Sequence, residues 1–376
     1  MAAFTGTLNT NEFYNGLFNA YKLITTFADG LDGLDNTLAN KFKMDGGAFH
    51  DKSVWTAMDI LTSREWDPTD TNVLATEQKV KPLQQEIVVD QKRQIAMTTD
   101  QYLSKRAWME PSAFESFNSV VQAQVGDTKR VYEQRLVDVA VGTMEAEMPS
   151  GKGSEQAQTV AIAAADSEDL RVRKIGKKIA DIMVNVKDTT RDFNDYGFMQ
   201  AYDKGSMMII WNAAYLNEFN YVDLPVIYHK EGIIDFVGDQ LPGKYFGRAI
   251  KESDIGSGKV IGSDGAYDAT KGTLRLAREL TYNDVHYFAG DKLSPSGSYV
   301  AVVGGLSAKD VYLEDNSIIC KIMHKDSIKF LSGFETSTEF FNAKNLSTNR
   351  YLTWMYAKPD YLRNYPLITL REVSAE

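Results

Sequence analysis

The sequence predicts an α+β fold, with few helices, one of them very long, among many strands. Three observations predict it. Residues 111–143 carry one apolar stripe at helical spacing from end to end. A second, shorter stripe at 167–187 leads on to a continuous apolar run at 206–211, the pattern of a helix and a buried strand. The last part of the chain offers apolar segments at 317–330, 350–356 and 367–370 that read as strands. The 376 residues suffice for one large domain or two to three ordinary ones, and 43% hydrophobic with 24% charged residues is ordinary globular composition.

In chain order, residues 11–31 read as an amphipathic helix. Phe13, Leu17, Tyr21, Ile24, Ala28 and Leu31 recur at spacings of four and three, Asn11 can cap the start, and Gly30 and Gly33 end it. Residues 40–79 differ. They hold Asp45-Gly46-Gly47, Trp55, Trp66 and Asp67-Pro68, with no lasting helical stripe and weak alternation. A long irregular segment of this kind is usually functional or mobile. Two tryptophans in it need cover, either from their own core or from a neighbouring subunit. Residues 83–98 are strand material, with Leu83, Ile87, Val89 and then Ile95, Met97 flanking a polar stretch at 90–93, so a hairpin or a bent strand is expected.

Pro111 suits a first helical position. Phe114, Phe117, Val121, Val125, Thr128, Tyr132, Leu136 and Val139 follow in one stripe, and Lys129, Arg130, Glu133, Arg135 and Asp138 define an opposite, charged face. Such a helix runs roughly 50 Å. Gly126 interrupts it and marks a kink or a close backbone approach. Residues 145–166 turn to Pro149-Ser150-Gly151-Lys152-Gly153-Ser154 and an Ala-rich stretch, a domain boundary. Val172, Ile175, Ile179, Ile182 and Val186 then mark the 167–187 helix, and SMMIIW at 206–211 leads into the helix-like NAAYLNEF. Residues 232–300 are rich in Gly and turn residues, and no fixed-period repeat occurs.

Chemistry-bearing patterns are scarce. His50, His229, His286 and His324 show no i,i+4 pair, and the lone Cys320 sits in an apolar strand and excludes an intramolecular disulfide. Gly256-Ser257-Gly258-Lys259 and Gly151-Lys152-Gly153-Ser154 both fail the phosphate-loop pattern at each end. No nucleophile elbow is present. The 167–187 helix carries Arg171, Arg173, Lys174, Lys177 and Lys178, which form either a solvated face or a contact for phosphate or an acidic partner. The formal charge of -10 argues against a general nucleic-acid binder. No catalytic residue, cofactor or metal site is expected. Neither a secretory signal nor a membrane span is read from the chain, and the apolar run Met207–Trp211 is far too short to cross a bilayer.

The order of elements resembles the major capsid proteins of tailed bacteriophages, a fold shared with herpesvirus shells. The stretches QEIVVDQKRQIAMTTDQYLSKRAWMEPSAFESF (85–117), SMMIIWNAAYLNEF (206–219), TYNDVHYFAGDKLS (281–294) and SGFETSTEFFNAKNLSTNRYLTWMYAKPDYLRNYPLITL (332–370) are similar to podophage-like members. The resemblance implies an N-terminal arm at 1–39 and an extended loop at 40–79. It implies a peripheral domain at 80–148 and 331–376 with a long spine helix, and an α/β axial domain at 149–330. It implies a self-assembling subunit of hexamers and pentamers in an icosahedral head enclosing double-stranded DNA, built in the bacterial cytoplasm. Phe13, Leu17, Tyr21, Trp55 and Trp66 become the candidate inter-subunit contacts. The implied partners are copies of the chain, a separate scaffolding protein and a portal, with DNA enclosed by proximity. Two other classes stay open: another assembling virion or surface-layer subunit, and an enzyme of unrecognised family.

Overall fold

Apolar spacing decides where the helices form, and tertiary cover decides which of their faces are dry. The computed structural model describes residues 37–63, 65–66, 69, 79–100, 111–219, 238–255, 266–282, 284–293, 299–301 and 306–374. The helix expected at 11–31 and the Gly256–Lys259 loop lie outside these. The described chain opens with α1 (Leu38–Phe42), which buries Leu38, Ala39 and Phe42, and β1 (Lys43–Met44). β2 (Lys52–Ala57) and β3 (Leu83–Val88) pair antiparallel, Lys52 facing Val88 and Ala57 facing Leu83, so residues 58–82 connect the arms of one long hairpin. After a bend at Val89 and Asp90, β4 (Gln91–Asp100) enters a different sheet, which decides for the bent strand over a hairpin at 83–98.

α2 (Pro111–Thr143) is the long helix, 33 residues in one piece. β5 (Ala157–Ile162) alternates exposed and buried residues, and α3 (Glu168–Lys187) buries all five residues of its predicted stripe. Ser167 caps α3 through the Leu170 amide. The apolar run forms β6 (Met207–Asn212), followed by a helix at 213–219. The turn-rich region supplies only short strands: β7 (Asp239–Leu241), β8 (Gly247–Arg248), β9 (Ala266–Asp268), β10 (Leu274–Leu276), β11 (Leu280–Tyr282), β12 (Val285–Tyr287), β13 (Tyr299–Ala301) and β14 (Val311–Glu314). Long strands then return as β15 (Ile318–His324), β16 (Ile328–Asn342) and β17 (Ser347–Tyr356), with a short β18 (Asp360–Tyr361) and a final β19 (Leu367–Ser374).

Two five-stranded sheets organise these elements. The first runs β1-β16-β17-β4 with β18 on β16, and α2 packs on it through Tyr132, Val137, Val139 and Val141 against Phe330, Trp354 and Tyr356. The second runs β5-β19-β15-β6-β7, and α3 covers one face through Ile175, Ile179, Ile182 and Val186 against Ile209, Trp211, Ile322 and Ile368. A three-stranded sheet, β10-β14-β8, has its own small core around Tyr267, Leu274, Leu276 and Leu313.

Three expectations change here. The apolar segment 317–330 is two strands in two sheets, because the chain turns at 325–327 between β15 and β16. Residues 367–374, grouped by sequence with 331–376, lie in the second sheet, where β19 pairs antiparallel with β15 and parallel with β5. The charged side of α2 is not solvated as a whole: Lys129, Glu133 and Asp138 are buried. α2 is covered from several directions, so no single polar face exists. Glu133 takes hydrogen bonds from Lys43 Nζ (2.8 Å) and Ser332 Oγ (2.6 Å), and Lys129 pairs with Glu335.

The close backbone approach expected at Gly126 occurs at Gly142 instead. A Cβ on Gly142 would stand 2.1 Å from the Tyr245 carbonyl oxygen, whereas one on Gly126 would meet nothing within 4 Å. Beyond α2, the crossover to β5 is pinned by buried Asp195. Its carboxylate accepts from the Glu147 and Met148 amides (both 3.3 Å), from Gln156 Nε2 (2.7 Å) and from the Tyr361 hydroxyl.

Candidate interaction surfaces

A protein that works by contact should show apolar side chains that its own fold leaves in water, since large exposed apolar patches mark interaction sites. Two such places stand out. The first is the hairpin of β2 and β3. Its pairing is regular and its arms alternate, but past the arms the large apolar side chains among the described residues are left uncovered. Met58, Ile60, Leu61 and Trp66 are 62%, 59%, 61% and 77% exposed. The hairpin base is different: Ile87 and Val89 join Leu331, Ala357 and Leu362 in a small core. The second place is the ribbon of β16 and β17, which reaches beyond the core and leaves Phe334, Phe340, Phe341 and Leu346 exposed. Phe340 and Phe341 are neighbours in a strand, so they point to opposite faces, and no single covering layer can bury both.

The five sequence-level candidates separate. Phe13, Leu17 and Tyr21 lie outside the described residues. Trp55 is half-buried and packs against the core at the hairpin base. Trp66 is at the surface. Sequence reading missed Met58, Ile60 and Leu61, although an irregular segment with three large apolar residues so close together carries the signal. It also missed the Phe340-Phe341 pair.

Among the described residues, no group of three or more His, Cys, Asp or Glu side chains can hold a metal, and no helix is long and apolar enough to cross a membrane. Cys320 is fully buried, and burial pushes its thiol well above the ordinary range, so it is inert. His324 stacks on Tyr365 at 4.5 Å, and His286 Nε2 lies 2.5 Å from a Glu279 oxygen. On α3, Arg171 pairs with Glu218 and Glu372, Arg173 with Asp169, and Lys174 with Asp166. These intrachain pairs favour a solvated face over a phosphate site.

The comparisons with known proteins agree with a contact-making chain. The family model of the Phi29-like phage major capsid protein matches residues 5–359. The chain belongs to that family. It is a phage major capsid protein, and copies of it assemble into the icosahedral capsid. Among solved structures, it is similar to a chain of the capsid of Staphylococcus phage Andhra, at a TM-score of 0.58 and 9% identity, covering 90% of this chain and 87% of that one. It is also similar to a chain in the structure of the head fiber and inner core protein gp22 of native bacteriophage P68, at a TM-score of 0.56 and 10% identity, covering 88% and 83%. At such identities the likeness is one of fold. No curated protein matches in sequence. For a capsid protein the exposed apolar surfaces above are the candidates for contact between copies.

Proposed function

We propose that the shell contacts of this capsid protein run through an arm at 1–39 and an extended loop at 40–79, laid on neighbouring copies except where α1 and β1 pack on the chain's own first sheet. On this reading residues 80–148 with 331–366 form a peripheral domain with α2 as its spine. Residues 149–330, completed by β19, form an axial domain around the centre of each hexamer or pentamer. The supporting observation is the end of the hairpin, where Met58, Ile60, Leu61 and Trp66 are all more than half exposed. Fully burying one such side chain contributes about 1.5–3 kcal/mol, and a closed shell repeats the contact in every copy, so modest contacts suffice. Phe13, Leu17 and Tyr21 of the arm add to this burial. Trp55 adds less, because part of it is covered by its own core.

The partners follow from the same reading: a separate scaffolding protein and a portal join copies of the chain, and assembly proceeds in the host cytoplasm. Double-stranded DNA is enclosed by proximity, since a chain with formal charge -10 lacks the basic balance that grips phosphates. The role is structural and not catalytic. The test is the double variant Leu61→Ser, Trp66→Ser, produced with the other head proteins of its genome. The expected result is a folded subunit with unchanged thermal midpoint and no closed shells under negative stain. Normal shells from that variant would remove the hairpin from the set of assembly contacts.

A further inference from the structure

The apolar end of the hairpin is tied back to its own chain at one point. Asp59, two residues past β2, places Oδ2 2.5 Å from Arg191 Nη1, and its Oδ1 accepts from the Met199 amide at 3.0 Å. Arg191 Nη1 also donates to the Gly197 carbonyl at 2.8 Å, which fixes the guanidinium in place. The receiving loop, 188–202, is rigid by construction. Thr190 and Gln200 bridge its neck. Asn194, fully covered, donates to the Phe198 carbonyl (2.7 Å) and accepts from the Phe198 amide (2.9 Å). Gly197 supplies the left-handed φ of +66° that closes this turn. Phe193 and Phe198 are buried beneath it.

A guanidinium and a backbone N–H held at fixed spacing make a two-point receptor for one carboxylate. Burial pulls the Asp59 carboxyl upward, but the Met199 amide and Arg191 outweigh it and hold it below the usual range. Met58, Ile60 and Leu61 flank this anchor, exposed to solvent. A single polar anchor therefore stands in the middle of an apolar run.

We propose that the 188–202 loop is a latch that grips Asp59 in the unassembled subunit and holds the apolar hairpin end in the conformation a neighbouring copy receives. The inference rests on the reading above, in which the hairpin meets a neighbour. Holding the hairpin in advance removes part of the ordering cost of association.

The test uses Asp59→Asn, Arg191→Gln and the double variant of the full chain, with two readouts. One is backbone hydrogen exchange across 52–61 and 83–88 in the unassembled subunit. The other is the critical concentration for shells. Each single change is expected to speed exchange and to raise the critical concentration about twofold to fivefold, the range of an exposed ion pair. The double variant should match the singles, because both changes remove one contact. The wild-type advantage should shrink with added salt. Unchanged exchange, additive effects, or an unchanged critical concentration beside faster exchange would overturn the latch. A wild-type chain that forms no shells even beside the other head proteins of its genome, while exchange responds as expected, would overturn the assembly reading and the latch's part in it. The exchange result tells these two failures apart.

Discussion

Asp138 and Lys321 sit near the C-terminal end of α2 and titrate in opposite senses. Asp138 is buried, and burial pushes its carboxyl up to about 7, against the pull of its hydrogen bond to Gln134 and of Lys244 and Arg135. The fully buried Lys321 donates to the Met144 carbonyl just past the helix end. Its ammonium is pulled down to about 7, by burial first and Arg371 second, against Glu145 and Asp315. The signs follow from proton binding. The folded state holds more protons on Asp138 than the unfolded chain does between about pH 4 and 7, so stability falls as pH rises through that window. It holds fewer on Lys321 between about pH 7 and 10.5, so stability climbs through that one. Asp138→Asn is expected to flatten the acid side of the stability profile and Lys321→Met the alkaline side, each removing a change of up to about 4 kcal/mol across its window. Urea midpoints of the subunit across pH check this, and slopes unchanged in both variants would refute it. Neither residue was legible in the sequence. The charge pattern put Asp138 on the charged face opposite the apolar stripe, and a lysine in the apolar run 318–323 gives no sign of which carbonyl it reaches.

Among the elements, α2 and α3 show when periodicity suffices. α3 lies on one sheet with water behind it, so its stripe predicted every buried position. α2 is wedged between a sheet, α1 and the Gly243–Tyr245 turn, so its stripe identified the helix and put Tyr132 and Val139 in the core, but it left out the equally buried Val137 and Val141 and the buried charges Lys129, Glu133 and Asp138. Its two glycines give opposite predictions. Gly126→Ala fills open space and should stabilise by about 0.5–1 kcal/mol, the ordinary helix preference. Gly142→Ala drives a methyl into the Tyr245 carbonyl and should cost about 1–3 kcal/mol. Thermal or urea unfolding of the two variants decides, and equal shifts of one sign would show that α2 does not rest on that turn. Strand identity was legible from apolar runs, but strand partners were not. The turn at 325–327 and the return of β19 to the second sheet depend on which edges are free in three dimensions, and no local pattern encodes that.

For the whole molecule, the α+β class and the family were legible because a very long helix followed by a helix, a buried strand and late strands is a rare order. The contact surfaces were half legible. Trp66 drew notice as an uncovered tryptophan, while Met58, Ile60 and Leu61 looked unremarkable until the paired hairpin arms left them without a core. The arm carries the corresponding prediction at this scale. Deleting residues 1–31 is expected to abolish closed shells while the second sheet and α3 stay folded. Sedimentation with negative stain reads the first outcome, and hydrogen exchange in β15 and β19 reads the second. Normal particles from the truncated chain would exclude the arm from the shell contacts.

The seat of β19 has a consequence for synthesis. β5 is the first strand of its sheet in chain order, yet its partner is the last strand, which stands between β5 and β15. A nascent chain on the ribosome therefore cannot close its second sheet until β19 has emerged, and a product cut short before Leu367 never closes it. Chains that stop short of β19 are therefore expected to leave β5 unpaired and to compete poorly for a place in a growing head.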